Sequence, residues 1–477
     1  MADDPYAALA AFLAASSDAK IPSAQACQLY ISALRLAGTP HPGALTAVWP
    51  GIARVLQFRS LPSETAAVLV DDVIDPIVAS GSLSWTEVCA VAGSADVLIG
   101  TVAADTHDKI RQAAVGFLSC FDFATAAEDE SEHVLAGLLA LITREKLSEG
   151  VVARIEKAVD KFLTHPTSSS VRPLVIRQLS EIRLQFGSSA VVASRIQGLS
   201  LIILRHSSAG VDDVPENLIC FAVASDDILA ELVTIQFYES LLELFLPPSI
   251  FYSTKPAYLE IADIYTSSSA IGLERTAAAR ALGRLAQTRS EIFADIDASL
   301  HITKNLTLRD DSDRAILTLV PGDYLAEHNP ALLRGYPITS ASLVDITCNL
   351  MRSALARSLL SSSLTSQNLL RLPVPDLLRV CKELASASSG DGSSSSNSGA
   401  QILVSMPGVM DVVLSKSGKM GYELMRLRGD VVDALYEVSE ELIGPYWAGR
   451  IREAKMSGTW GTNDSDVPAV EVMDSTS

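Results

Sequence analysis

The chain of 477 residues is 48% hydrophobic, with a mean hydropathy of +0.27 and only 19% charged residues, which excludes global disorder and supplies ample material for a buried core. Its 56 acidic against 37 basic residues leave a net charge of −19, which argues against nucleic acid and anionic membrane as partners and favours a basic protein surface.

At the start, Asp3 and Asp4 stand where a secretory leader carries positive charge, and Asp18 follows soon after the apolar run at 7–15, so this segment reads as a first amphipathic helix. No uninterrupted apolar run reaches the length of a membrane span. Up to about residue 100, helices alternate with Pro and Gly corners, and Ser84 with Glu87 three residues on has the spacing of a capping box. After the polar corner Thr106-His107-Asp108, the residues Ile110, Ala113, Ala114, Phe117, Leu118 and Phe121 fall on one helix face. Similar stripes follow at Val171, Leu174, Val175, Leu179 and Ile182, then at Ile228, Leu232 and Ile235. The clearest one joins Leu273, Ala277, Ala278, Ala281, Leu282 and Leu285, with Glu274, Arg275 and Arg284 on its flanks. Residues 300–340 break the pattern: His301–Leu308 nearly alternates, which predicts an irregular connection or a short hairpin. Helical spacing resumes with Leu343, Ile346 and Leu350. The Ser-rich stretch within 386–399 predicts a flexible low-complexity loop, 418–456 a last helical stretch, and the acidic segment 457–477 a disordered tail.

A short helix cannot bury such a stripe alone, so a succession of them predicts an all-α fold, an α-solenoid of degenerate HEAT/armadillo-like helical repeats forming one domain over 1–456. The stripes recur at roughly 45 to 70 residues, looser than the roughly 40 to 47 of regular units. A single compact helical core of this length would be unusual, whereas a solenoid lengthens repeat by repeat. Such proteins act by presenting a long surface to a partner.

Motifs that carry chemistry are missing from the sequence. No Gly-rich phosphate loop, nucleophile elbow or zinc-protease signature occurs, and the seven histidines share no ligand spacing. The six cysteines (Cys27, Cys89, Cys120, Cys220, Cys348, Cys381) stand apart, mostly in apolar runs, as buried free thiols of a reducing compartment. The reading is of a protein that is not an enzyme, needs no cofactor and holds no metal, expected in the cytoplasm with the nucleus as a second compartment. The acidic residues Asp71, Asp72 and Asp75, and the pair Asp226 and Asp227, are the candidate partner contacts; as residues at helix starts or corners they serve equally well as caps and dipole partners. Tyr422, Tyr446 and Trp447 read as packing residues that close the last repeat, and Gly444-Pro445 as a helix stop.

The C-terminal third carries Met406-Pro407-Gly408-Val409-Met410-Asp411-Val412-Val413-Leu414-Ser415, then Gly421-Tyr422-Glu423-Leu424, then Gly444-Pro445-Tyr446-Trp447. In this it resembles the 26S proteasome non-ATPase regulatory subunit 5 family, with helix starts in a similar order upstream over roughly residues 60 to 450. The resemblance implies a chaperone for assembly of the proteasome regulatory-particle base that binds the C-terminal domain of one proteasomal AAA+ ATPase and leaves before the particle is complete. On the acidity and the lack of a long apolar run, no nucleic acid and no membrane partner is expected. The alternative is a HEAT or armadillo scaffold in another pathway, such as nuclear transport or vesicle tethering. The position of Trp49, Trp85, Trp447 and Trp460 outside the repeat-like middle counts against an import adaptor.

Overall fold

A computed structural model describes residues 4–456 apart from 42, 82, 105, 165–167, 188, 207–213, 271, 388–398 and 416–420. The tail at 457–477 and most of the Ser-rich loop lie outside the described residues, as do Asp105 and His165. Among the described residues every named element is helical, and an isolated bridge between Ser17 and Lys20 is the extent of β pairing. The fold is an all-α solenoid. No single described helix is long and apolar enough to cross a membrane. Contacts group the chain into two compact units, Met1–Ala257 and Tyr258–Ser477.

In the first unit, the helices Asp108–Leu118, Glu149–Thr164, Ala190–Arg205 and Ile228–Leu241 pack each against the next as one row. A second row, Ala95–Ala103, Glu128–Ala140 and Ser168–Phe186, covers it. The stripe read from the sequence explains the first of these helices: Ile110, Ala113, Ala114, Phe117, Leu118 and Phe121 are all buried. Trp49, from the helix Ala44–Val55, meets the Phe117 ring edge-on at 4.7 Å and ties the N-terminal helices to the row. The Ser84–Glu87 capping box is present, with Glu87 accepting from the Ser84 backbone N–H at 2.9 Å.

The second unit repeats the plan. Gly272–Thr288, Asp311–Leu319, Val344–Met351, Val374–Ser386 and Tyr422–Tyr436 form one row, and Ser290–Leu300, Gly322–His328, Ala354–Leu359, Gly399–Val404 and Glu440–Met456 pack beside it. Small residues let the first two row helices approach closely. Gly283 faces Leu319 so tightly that an added Cβ would come within 2.8 Å of the Leu319 Cβ.

Three expectations are corrected. Leu273 is 70% exposed although it falls on the predicted stripe. In the first turn of its helix Glu274, expected on the flank, is buried instead, and Arg275 reaches Asp310 at 3.4 Å and Asp313 at 3.6 Å, so the polar side chains face the neighbouring helix and Leu273 is left outside. Residues 300–340 hold no hairpin; they form the short helices Ile302–Asn305, Asp311–Leu319, Gly322–His328 and Pro330–Arg334. The polar run Asp310–Asp313 is a helix start, with the Asp310 carboxylate accepting from the backbone of Ser312 and Asp313. Finally, Tyr422 and Tyr446 are 69% and 65% exposed rather than packed; Tyr422 opens the last helix of its row, Tyr422–Tyr436, and Tyr446 follows the break at Gly444 within Glu440–Met456. Gly444 does end a helix as expected: it takes φ 78°, ψ 155°, and Pro445 opens the next segment.

Substituting Gly283 by Val should lower stability by about 1–3 kcal/mol through overpacking against Leu319, read as a fall in the thermal midpoint with helix content retained.

Candidate partner-binding surface

Where chemistry would be expected, the described residues hold structural contacts. No group of His, Cys, Asp and Glu capable of holding a metal occurs among them. Burial pushes the Cys348 and Cys381 thiols up to about 12 and that of Cys27 up to about 11, which removes the thiolate a nucleophile needs. His133 points its Nε2 at Asp96, 2.7 Å away, and His206 its Nε2 at Asp160, 2.8 Å away; both pairs join neighbouring helices. Cys120 turns its thiol to the Gly116 carbonyl, one turn back along the chain.

The acidic residues Asp71, Asp72 and Asp75 lie together on one helical stretch, at the point where it changes pitch. Pro76 cannot donate to the carbonyl one turn back, and the chain before it widens into a π-helical turn, Val70–Ile74. That turn directs the three carboxylates at three different helices. Asp72 accepts from Arg35 at 2.6 Å and from the Gln28 amide at 3.2 Å. Asp71 accepts from Lys109 at 2.7 Å and from Arg154 at 3.0 Å. Asp75 takes both arms of the same guanidinium, at 2.5 and 2.6 Å. These acids therefore lace the helices Ala24–Ala37, Asp108–Leu118 and Glu149–Thr164 to their own stretch.

Asp226 and Asp227 are placed differently. Asp227 caps the helix Ile228–Leu241 by accepting from the Leu229 N–H at 2.9 Å, while Asp226 is exposed beside it and has no partner among the described residues.

In the second unit the row carries a groove of about 340 Å³ to which all five helices contribute. Arg284, Leu319, Asp345, Arg352, Lys382 and Leu427 are among its lining. Its charges are paired across helices: Arg352 donates to both oxygens of Glu383 at 2.7 and 2.9 Å, Arg379 donates to Asp345, and Lys382 donates to Asp430 at 2.7 Å. The hydrogen bond to Asp345 holds the Arg379 guanidinium above its ordinary value, and the one to Glu383 does the same for Arg352. The result is a fixed pattern of both signs with a half-exposed apolar floor, which suits recognition of a folded protein face.

Sequence reading missed these groove residues because periodicity inside one helix says nothing about charges on the next. A signal existed at the repeat scale. The paired charges are separated by 31, 34 and 48 residues, and Asp72 and Asp71 lie 37 and 38 residues from Arg35 and Lys109. Opposite charges one repeat apart are the pattern to search for.

At the C-terminal end, Tyr446 and Trp447 meet edge-on at 4.9 Å, and the Arg450 guanidinium lies 5.2 Å from the Trp447 ring centre while donating to Asp411 at 2.9 Å. An exposed tyrosine beside a half-buried tryptophan and arginine has the composition of an interface anchor.

Three comparisons bear on this surface. Residues 250–477, just under half of the chain, match the family model described as "DNA mismatch repair protein HSM3, C terminal domain". No curated protein matches the chain. Among solved structures, the chain is similar to one in the "Kap95:Nup1 complex", with a TM-score of 0.56 at 12% identity over 95% of this chain. It is also similar to a mutant form of Kap121p, with a TM-score of 0.47 at 12% identity over 93% of this chain. This chain spans 60% and 46% of the length of those two chains. At such identity the first likeness establishes the helical-repeat fold alone, and the span matched by the family model includes the whole groove of the second unit.

Two measurements probe these contacts. Arg154→Met should destabilise the protein by about 1–2 kcal/mol at low ionic strength, less at high salt, because Asp71 and Asp75 lose a half-buried partner; denaturant midpoints at two salt concentrations check it. A thiol reagent at mildly alkaline pH should label the half-exposed Cys89 and Cys220 first, and reach Cys27, Cys348 and Cys381 only on unfolding, as read by mass spectrometry of the labelled peptides.

Proposed function

We propose that this chain is a chaperone for assembly of the proteasome regulatory-particle base, working in the cytoplasm by binding the C-terminal domain of one proteasomal AAA+ ATPase through the helix row of its second unit. The observation that carries the reading is the match of residues 250–477 to the HSM3 C-terminal family, a family of proteasome base assembly chaperones in yeast. It agrees with the resemblance of the C-terminal motifs to the 26S proteasome non-ATPase regulatory subunit 5 family. The helix Pro407–Leu414 and the segment Gly444-Pro445-Tyr446-Trp447 that carry that resemblance both lie within the matched span.

Such a role needs no catalytic group, cofactor or metal. It needs a rigid surface that recognises one folded domain and releases it. The groove supplies charges of both signs already held in place by cross-helix pairing, so little side-chain entropy is lost when a partner docks. The net charge of −19 would speed encounter with a basic domain more than it would tighten the final complex.

A second reading is a scaffold in another pathway, supported by the fold-level likeness to the Kap95 chain. Mismatch repair, named in the description of the matched family, would have to proceed through protein contacts, since a chain this acidic repels the DNA backbone.

The test is capture of the purified full-length chain by the C-terminal domain of each base ATPase in turn, at low and moderate salt. One domain should be retained selectively and salt-sensitively, and Leu427→Arg in the groove should weaken that capture at least about tenfold, a loss of about 1.4 kcal/mol, with the melting curve preserved. Capture of none, or stoichiometric co-migration with mature 26S particles, would refute the transient-chaperone role.

A further inference from the structure

The first unit carries a groove of its own, outside the span matched by the HSM3 model. It lies between the helices Ala190–Arg205 and Ile228–Leu241 and is about 170 Å³ in volume. That is below the roughly 300 Å³ at which small-molecule sites begin, and is room for one long side chain. Its walls are Ala193, Ala222, Ala230 and Phe221.

One polar side chain in the lining is incompletely satisfied. Gln197 is 4% exposed, and its amide donates to the Thr234 hydroxyl at 2.9 Å. That hydroxyl in turn donates to the Ala230 carbonyl at 2.9 Å, so it has no proton left for the glutamine. The Gln197 Oε1 consequently has no hydrogen-bond partner. A buried acceptor left unpaired is destabilising, and a donor entering the groove would relieve it after a small turn of the amide about its soft terminal torsion.

Beside the groove stands an apolar step. Leu229 is 71% exposed, and Val233, one turn on, and Val191, on the facing helix, are also exposed. Two carboxylates stand at the edge of the groove: Asp226 and Asp227 follow directly on the lining residue Ser225, and Asp226 has no partner among the described residues. Arg183 is the single cation among the described lining residues; it keeps its charge and is held in place by donating to the Gly187 carbonyl at 3.0 Å and by stacking 4.6 Å from the Phe221 ring centre.

We propose that this groove is a second docking point, which receives a lysine or arginine side chain of a partner protein while an apolar neighbour of that residue sits on Leu229 and Val233. The cation donates to the Gln197 Oε1 and is held by the carboxylates of Asp226 and Asp227; the apolar neighbour covers the exposed step. The partner segment is therefore basic and amphipathic. This assignment does not depend on the ATPase reading, which concerns the other unit.

The experiment is selection of a displayed random peptide library on the full-length chain, with counter-selection on the Gln197→Leu variant. Peptides that survive should share a lysine or arginine next to a large apolar residue. Each should lose about tenfold in affinity when its cation is replaced by norleucine, and similarly on Leu229→Ser or Asp226→Lys of the protein. The last two substitutions fall at exposed positions and leave the fold intact, so they decide the matter even if Gln197→Leu misfolds. Failure to enrich any peptide that distinguishes the variants overturns the proposal, as does enrichment of peptides without a cation.

Discussion

Every helix in this chain depends on its neighbour, because none can bury its apolar stripe alone. The helix Gly272–Thr288 illustrates the constraint. Its buried residues are mostly alanine and glycine, with Leu282 and Leu285 as the large ones, so its own transfer free energy is modest. What small residues provide is proximity: at Gly283 the next helix, Asp311–Leu319, comes close enough to leave no room for a side chain, and both helices bury each other's stripes. The rule repeats along each row, and it lets a chain of this length fold without one common core. Stability in such an arrangement is close to a sum of local helix terms and nearest-neighbour interfaces.

Packing of smooth, Ala-rich helices leaves their relative register weakly specified, and polar contacts between successive helices supply it. Asp71, Asp72 and Asp75 bind three helices around one widened turn, and Arg352–Glu383, Arg379–Asp345 and Lys382–Asp430 do the same in the second unit. Buried polar groups reinforce them. Asp313 accepts from the Tyr265 hydroxyl at 2.6 Å and from the Thr307 backbone at 2.9 Å, which anchors the start of its helix from two sides. Asn349 donates to the Leu317 and Val320 carbonyls at 3.0 and 2.7 Å and closes the end of that helix from the next one. Individually the exposed ion pairs contribute little; together they fix which residue of one helix faces which residue of the next.

This use of charge bears on function. Part of the acidity that marks the sequence is consumed internally. Asp71, Asp72 and Asp75 hold helices of the first unit together, whereas Asp226 stands without a partner among the described residues at the edge of a groove. On the second unit the groove presents both signs of charge in a rigid arrangement, and exposed Tyr446 with half-buried Trp447 adds aromatic surface on the helix Glu440–Met456. A surface built this way is specific by geometry more than by net charge, which is what discrimination among closely related partner domains would require.

Helix type, the alternation of stripes and the solenoid class are legible in the residues alone, because a 3.6-residue period is a property of one segment and needs no knowledge of its neighbours. Ile110 to Phe121 and Ser84 with Glu87 are read correctly for that reason. Leu273, Tyr422 and Tyr446 are misread because burial depends on which side of a helix its neighbours cover, and that is not written in the segment itself. The hairpin expected near His301 fails likewise: alternation over eight residues was outweighed by local caps, Asp310 above all. The candidate surface was the least legible part. Its groove residues are ordinary solvent-facing charges until helices one repeat apart are set side by side, and an orphaned acceptor such as the Gln197 Oε1 exists only once its surroundings are closed. That the chain stacks short amphipathic helices is dictated by its residues segment by segment. Which faces stay open is settled by packing, since exposure is a relation between helices and not a property of any one of them.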